Sequence, residues 1–352
     1  MNAPFALARE TVRLVDLHQP GEARRIEGFV AETGGSLFHR PAWLRAVERG
    51  ARQRAFGLVA EKGGGVTGWL PLSEVHSPIF GRMLASSGFA VGGGVLAERV
   101  STAEALCLAA EELAQRLACA TIELRGGAAP RHWRVRTDSH CGFVRALAES
   151  DDAQLAAIPR KQRAEVRKGL EAELTVEVGC GSADRAAHYA VYAESVRNLG
   201  TPVFPKSLFE AALTELDGVI LTVRHDGKPV ASVLSFCHDG AVMPYWGGGT
   251  RAARHLRAND RMYYELMLHA RRRGCTRFDF GRSKTGSGAW AYKKTWGFEP
   301  EPLNYASWTA PGAEPRDADP TSARHAASIA LWKSLPLPVA SSLGPLIARG
   351  LG

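Results

Sequence analysis

The densest chemistry in this 352-residue sequence lies between Phe278 and Phe298, which reads Phe-Asp-Phe-Gly-Arg-Ser-Lys-Thr-Gly-Ser-Gly-Ala-Trp-Ala-Tyr-Lys-Lys-Thr-Trp-Gly-Phe. Arg282, Ser283, Lys284, Gly286 and Gly288 fall in one glycine-rich loop, where backbone N–H groups and cations can be presented to an anion. The order G-x-x-x-x-G-K-[ST] is missing, so the loop is not a P-loop. Asp279 precedes it and is the nearest acid that could accept a proton from an attacking amine. The alternation in Phe278-Asp279-Phe280 suits a structural salt bridge equally well. Lys293 and Lys294 follow on a short helix, where neighbours diverge by about 100° and so face different ways. Tyr245 and Tyr292 could donate hydrogen bonds in a cleft, although tyrosines at such positions are often plain core.

Much of the net charge of +8 sits in three basic clusters: Arg160 to Lys168, Arg251 to Arg257, and Arg271 to Arg273. As solvated helix faces these need no partner. As a surface they fit an anionic small molecule or precursor, a tRNA or an acidic lipid. Arg163 and Arg167 are candidates for a nucleotide-sugar or lipid-diphosphate group, and Arg254 and Arg257 for a phosphate met by side chains. Six scattered cysteines without a C-x-x-C pair argue for reduced thiols and against a zinc site. The histidines show no ligand spacing, so no metal is expected, and Cys237-His238 on a strand point to opposite faces. No apolar run approaches a membrane span, and the N-terminal residues lack the basic region of a signal peptide. A cytoplasmic chain is expected.

The elements that position the loop follow from the pattern. Val219 to Arg224 and Pro229 to Phe236 are apolar runs joined by His225-Asp226-Gly227-Lys228, a strong hairpin signal. A strand from Ala241 to Trp246 ends in Gly247-Gly248-Gly249. A helix is expected from Asn259, which can cap it, to Arg273, before Gly274. A strand over Thr276 to Phe280 then leads into the loop. The first half repeats this order: Phe56 to Glu61, a glycine turn, Val66 to Leu72, Gly88 to Val91, Gly92-Gly93-Gly94, a helix over Thr102 to Ala118, and Thr121 to Leu124. The two glycine triplets lie 155 residues apart and Glu123 and Asp279 lie 156 apart. The first copy carries extra residues around Ser77 to Ser86.

Matching order at a near-constant offset implies a duplication. Each copy is a mixed sheet with helices packed on it, α/β or α+β in class. The expected domains are residues 1–150 in support, 151–309 carrying the chemistry and opening on a basic helix from Leu155 to Leu170, and 310–352 as a linker and tail. In the tail a short helix runs to Trp332 before Leu335-Pro336-Leu337-Pro338. It is read as a docked segment, with a peripheral membrane contact as the alternative.

Tyr292-Lys293-Lys294-Thr295-Trp296-Gly297 resembles the F-K-x-x-F/W-G signature of the FemAB family, and Leu37-Phe38-His39-Arg40-Pro41-Ala42-Trp43 resembles its F-x-x-P-x-W motif. The resemblance covers roughly residues 30 to 308. Three segments look more narrowly like the FemAB-like branch associated with exosortase/PEP-CTERM exopolysaccharide systems: Arg197 to Pro205, Gly281 to Gly288, and Leu331 to Pro338. It implies two tandem GNAT-like domains and transfer of an acyl or aminoacyl group to an amine of a cell-envelope or exopolysaccharide precursor. It also implies that Lys293 stabilises the oxyanion of the tetrahedral intermediate. The expected location is the cytoplasm, with its inner membrane face as the alternative should the tail make a membrane contact. No tightly bound cofactor is expected; the donor is an aminoacyl-tRNA or an acyl-CoA. The GNAT pyrophosphate motif R/Q-x-x-G-x-G/A is matched here by Arg251 to Asp260, which has no glycine after its arginines, and this favours the tRNA donor. Plain acyl-CoA acetylation and a non-catalytic scaffold are the rival readings. The oligomeric state stays open.

Overall fold

The computed structural model describes residues 9–77, 81–314 and 326–350. The chain opens with β1 (Thr11–Val15), α1 (Pro20–Glu32), α2 (Pro41–Ala51), β2 (Arg54–Lys62), β3 (Gly65–Ser77), β4 (Gly81–Ala85), β5 (Leu96–Ala97), α3 (Val100–Arg116), β6 (Thr121–Arg125) and β7 (Arg134–Arg136). It continues through β8 (His140–Gly142), β9 (Val144–Ala146), α4 (Asp151–Ala157), α5 (Arg160–Glu171), β10 (Thr175–Gly179), α6 (Ser182–Leu199) and α7 (Lys206–Glu215). Then come β11 (Gly218–His225), β12 (Lys228–His238), β13 (Ala241–Gly249), α8 (Arg251–His255), α9 (Ala258–Arg272) and β14 (Arg277–Asp279). The last elements are β15 (Ser283–Lys284), α10 (Gly288–Thr295), β16 (Glu301–Pro302), β17 (Tyr305–Thr309), α11 (Ala326–Ser334) and α12 (Leu337–Ala348).

The order β1-α1-α2-β2-β3-β4-α3-β6 recurs as β10-α6-α7-β11-β12-β13-α9-β14, so the chain is a mixed α/β protein built on a duplicated unit. One sheet has the order β1-β2-β3-β4-β6-β17-β7, with β5 on β3; another runs β10-β11-β12-β13-β14-β9. A third small sheet is β15-β8-β16. Asp226 and Gly227 turn the β11–β12 hairpin with φ of 49° and 73°, the left-handed pair that a tight hairpin requires. Strand alternation divides the side chains between two layers. In the first unit Leu58 and Ala60 face α3 and its Leu106 and Ala110, while Val59 joins Ile26 and Phe29 of α1. In the second, Leu221, Val223 and Val233 pack with Met262, Leu266 and Met267 of α9. On the other face Trp246 meets Phe209 of α7 with ring centroids 4.7 Å apart.

Several expectations move. The compact units are Met1–Arg136 with Asn304–Ala318 and Arg349–Gly352, and Thr137–Leu303 with Asp319–Ala348. The division therefore differs from residue 150. β9, before it, pairs with β14, and β17, from the C-terminal side, pairs with β6 and β7. The strand expected at Gly88 to Val91 is irregular chain. The true counterpart of β13 is β4, inside the segment read as extra residues, and it runs parallel to β6 as β13 does to β14. The triplets are thus not equivalent: Gly247 to Gly249 lie within β13, paired to β12. The basic helix is two helices, because Pro159 breaks it and starts α5. Arg257, not Asn259, precedes α9, in a left-handed conformation of φ 56°. α12 starts between the two prolines, with Pro338 in its first turn, where a missing N–H costs nothing. Part of the expected linker and the start of the tail, residues 315–325, lie outside the described residues.

Candidate functional site

The sheets differ where their parallel strands meet. In the first unit the pair is prolonged: Ser86 N–H donates to Glu123 O at 2.8 Å and Arg125 N–H to Ser86 Oγ at 2.8 Å. The buried Arg125 guanidinium then donates to Ala90 O at 2.7 Å. In the second unit β13 and β14 pair at Ala241–Arg277 and Val242–Phe278 and then part. Pro244, which has no N–H to donate, sits just past the last pair, while on the other side of β14 the ladder goes on, with Phe280 N–H donating to Phe143 O at 2.8 Å. The carboxyl ends of two parting parallel strands are where open α/β sheets bind ligands.

The loop after β14 is held at both ends. Ser283 pairs with Cys141 of β8, Thr285 N–H donates to Ser139 O at 3.0 Å, and Ser287 N–H to Lys284 O at 3.1 Å. Ser287 Oγ accepts Trp290 N–H at 3.2 Å and so caps α10. α10 returns Lys293 beneath the loop. Its side chain is 8% exposed, and Nζ donates to Gly281 O at 3.1 Å and Arg282 O at 2.8 Å. The rings of Phe143 and Phe280 lie 5.2 Å and 5.5 Å from Nζ. Burial lowers the ammonium pKa to about 8, against the pull of Asp279, which favours the charge. Lys293 is therefore no surface lysine: it ties the loop from below and keeps one further N–H for a partner. Lys294 is exposed and lies over the Trp290 ring at 4.5 Å, a different direction as expected.

Asp279 Oδ1 accepts Gly281 N–H at 2.9 Å, so it shapes the turn, and among the described residues it forms no salt bridge. Burial raises its pKa, opposed by that N–H and by Lys293. Tyr292 donates to Asp260 Oδ1 at 2.9 Å, and burial drives its phenol well above the ordinary value. Gln162 Nε2 donates to the same Asp260 oxygen at 2.7 Å, and Thr295 Oγ1 to Gln162 Oε1 at 3.0 Å. Burial raises Asp260's pKa as well, with the Tyr292 and Gln162 bonds opposing. This network joins α5, α9 and α10 beneath the loop. Sequence reading gave neither Asp260 nor Gln162 a place in the site, since nothing local links positions so far apart.

The remaining candidates separate. Lys284, Gly286 and Gly288 are exposed on the loop and Arg282 is half-buried. Ser283 is buried, its hydroxyl enclosed without a partner among the described residues. Tyr245 is half-buried on the parted stretch of β13, its ring 5.8 Å from Phe236 and 5.0 Å from Trp246. Arg163 of α5 donates to Ala156 O at 3.2 Å, and Arg167 is exposed. Arg254 is exposed on α8, and Arg257 pairs with Glu165 of α5 at 2.6 Å. The first N–H of α8, on Arg251, is taken by Glu194 Oε1 of α6 at 3.1 Å.

Residues 159–294 match a family model described as an acetyltransferase (GNAT) domain. Among solved structures, FemX is 14% identical with a TM-score of 0.65, over 84% of this chain and 96% of that one. A tandem GNAT protein from the clavulanic acid biosynthesis pathway is 12% identical with a TM-score of 0.58, over 87% and 100%. L-PGS from Bacillus licheniformis is 14% identical with a TM-score of 0.53, over 95% and 97%. No curated protein matches the chain. The fold is thus that of tandem GNAT proteins, and the second unit carries a GNAT-type acyltransferase domain.

Proposed function

We propose that this protein transfers an aminoacyl or acyl group to an amine, in the manner of FemAB enzymes, on a cell-envelope or exopolysaccharide precursor. The carrying observation is Lys293, a buried cation fixed under a loop at the carboxyl end of one of two parting parallel strands. Attack of an amine on an acyl carbon places negative charge on the former carbonyl oxygen, and a cation already in place there needs no reorganisation. Asp279 and the bound carbonyls fix Lys293 and the loop that would meet the anionic part of a substrate through Arg282, Lys284 and the N–H groups near Gly286 and Gly288. Tyr292 acts through Asp260 to set α10 against α9, a positioning role. The acceptor class rests on the resemblance of Arg197 to Pro205, Gly281 to Gly288 and Leu331 to Pro338.

An aminoacyl-tRNA is the favoured donor. The Glu194 carboxylate accepts the N–H at the start of α8, where a pyrophosphate would otherwise bring a second anion. Arg167 and Arg254 are exposed side chains for the phosphates of a nucleic acid, and Arg163 and Arg257 would join them by giving up Ala156 O and Glu165. Transfer of labelled acyl groups from charged tRNA and from acyl-CoA to amine acceptors tests both parts. Lys293→Met should lose roughly 10²- to 10³-fold in rate while the thermal midpoint shows a folded protein. The wild-type rate should decline above about pH 8 as Lys293 deprotonates. Full activity in Lys293→Met overturns the role of Lys293. Transfer from acyl-CoA alone, with millimolar coenzyme A raising the midpoint, overturns the donor, and no transfer from either donor leaves the scaffold reading.

A further inference from the structure

α12 docks by its small residues and leaves its large ones outside. Ala340, Gly344 and Ala348 are buried, and a Cβ on Gly344 would lie 2.8 Å from the backbone nitrogen of Val203. Val339, Leu343 and Leu346 recur at i, i+4 and i+7 on the other face and are 42%, 45% and 65% exposed. α11 adds Leu331 at 66%, and the end of α6 adds Leu199 at 64%. Gly200, next to Leu199, packs against Ile329 and Lys333 of α11, and both tail helices lie on α6. An apolar row of this kind, kept in water, forfeits the free energy that covering it would release.

The charge around the row indicates what covers it. From Ala326 to Ala348, the part of the tail that belongs to the second unit, the chain carries Lys333 and no Asp or Glu. Arg197 joins this surface by donating to Lys333 O at 3.3 Å. Two copies meeting through this face would bring like charges together, whereas an anionic lipid surface meets them with the opposite sign. No described helix is long and apolar enough to cross a membrane, so the geometry is that of a face laid on the surface.

We propose that the outer face of α11 and α12, with Leu199, docks this protein onto an anionic lipid bilayer. Leu331, Val339, Leu343 and Leu346 enter the acyl boundary, and Lys333 and Arg197 meet the headgroups. The proposal is independent of the acyltransferase reading and of its test.

The full chain is sedimented with vesicles of phosphatidylcholine alone or mixed with phosphatidylglycerol, at low and high salt. Wild type should pellet with the anionic vesicles at low salt, less at high salt, and hardly at all with phosphatidylcholine. Leu343→Glu with Leu346→Glu should weaken binding by roughly tenfold or more at an unchanged thermal midpoint. Leu343→Ser with Leu346→Ser serves as a second variant that adds no charge and should weaken it in the same direction. Absence of binding to anionic vesicles overturns the proposal, as does equal binding by both variants. A wild-type dimer in solution that the substitutions dissociate assigns the face to a second copy instead.

Discussion

Lys293 carries a conflict between burial and charge that should be measurable in the folded protein. Its pKa lies near 8, below the ordinary 10.5, because burial disfavours the ammonium more than Asp279 favours it. A lysine with a lowered folded pKa binds its proton less tightly when folded. Below about pH 8 both states are protonated and the folded chain carries the cost of the buried charge. Between that pH and about 10.5 the unfolded chain holds more protons, so this residue's contribution to stability rises with pH. The stability of wild type minus that of Lys293→Met, from urea titrations, should rise by up to about 3 kcal/mol across that window. A flat difference would mean that Lys293 is solvated. Sequence reading placed Lys293 on a short helix after the loop and marked it for a developing negative charge. It gave no sign that the ammonium is shared with two loop carbonyls, because those bonds depend on how far α10 folds back.

At the scale of elements, the glycine triplet in β13 has a packing cause. A Cβ on Gly248 would lie 2.1 Å from Ser195 Oγ and 2.6 Å from Ser195 Cβ, so α6 can sit this close to the strand only over glycine. Gly248→Ala should cost about 1–3 kcal/mol through overpacking. Ser195→Gly in the same chain should restore part of that loss, seen as a coupling energy in a double-mutant cycle. Simple additivity would place the clash elsewhere. Two adjacent strands and a glycine turn made the hairpins legible, since Asp226-Gly227 encodes its turn locally. The first copy's fourth strand was missed because Gly88 to Val91, beside a glycine triplet, looked more strand-like than Gly81 to Ala85. Sheet pairing with β6 settles that choice, and it is not a local property.

For the whole molecule, the two units are not contiguous in sequence. β17 follows the second unit in sequence yet lies between β6 and β7 in the first unit's sheet, in register from Thr309–Thr121 to Tyr305–Arg125 on one side. A chain ending at Leu303 therefore keeps every strand of the second unit and strips β6 of a neighbour. Hydrogen exchange should show lost protection in Thr121–Arg125, with β11 to β13 far less affected. Equal loss in both sheets would show that the two sheets unfold as one.

The sequence by itself determined the class of fold, the repetition of one unit, and the stretch from Asp279 to Lys293 as the place to look for chemistry. These rest on local signals: apolar period, turn residues, and a short motif that resembles a known family. Only the tertiary structure decided which strands pair across the chain, that β13 and β14 part while β4 and β6 stay closed, and that Glu194 occupies the first N–H of α8. It also decided that Asp260, Gln162 and Tyr292 form one network. Each of these joins residues remote in sequence, and pairing or burial at such distances depends on the completed fold, which no window of sequence contains.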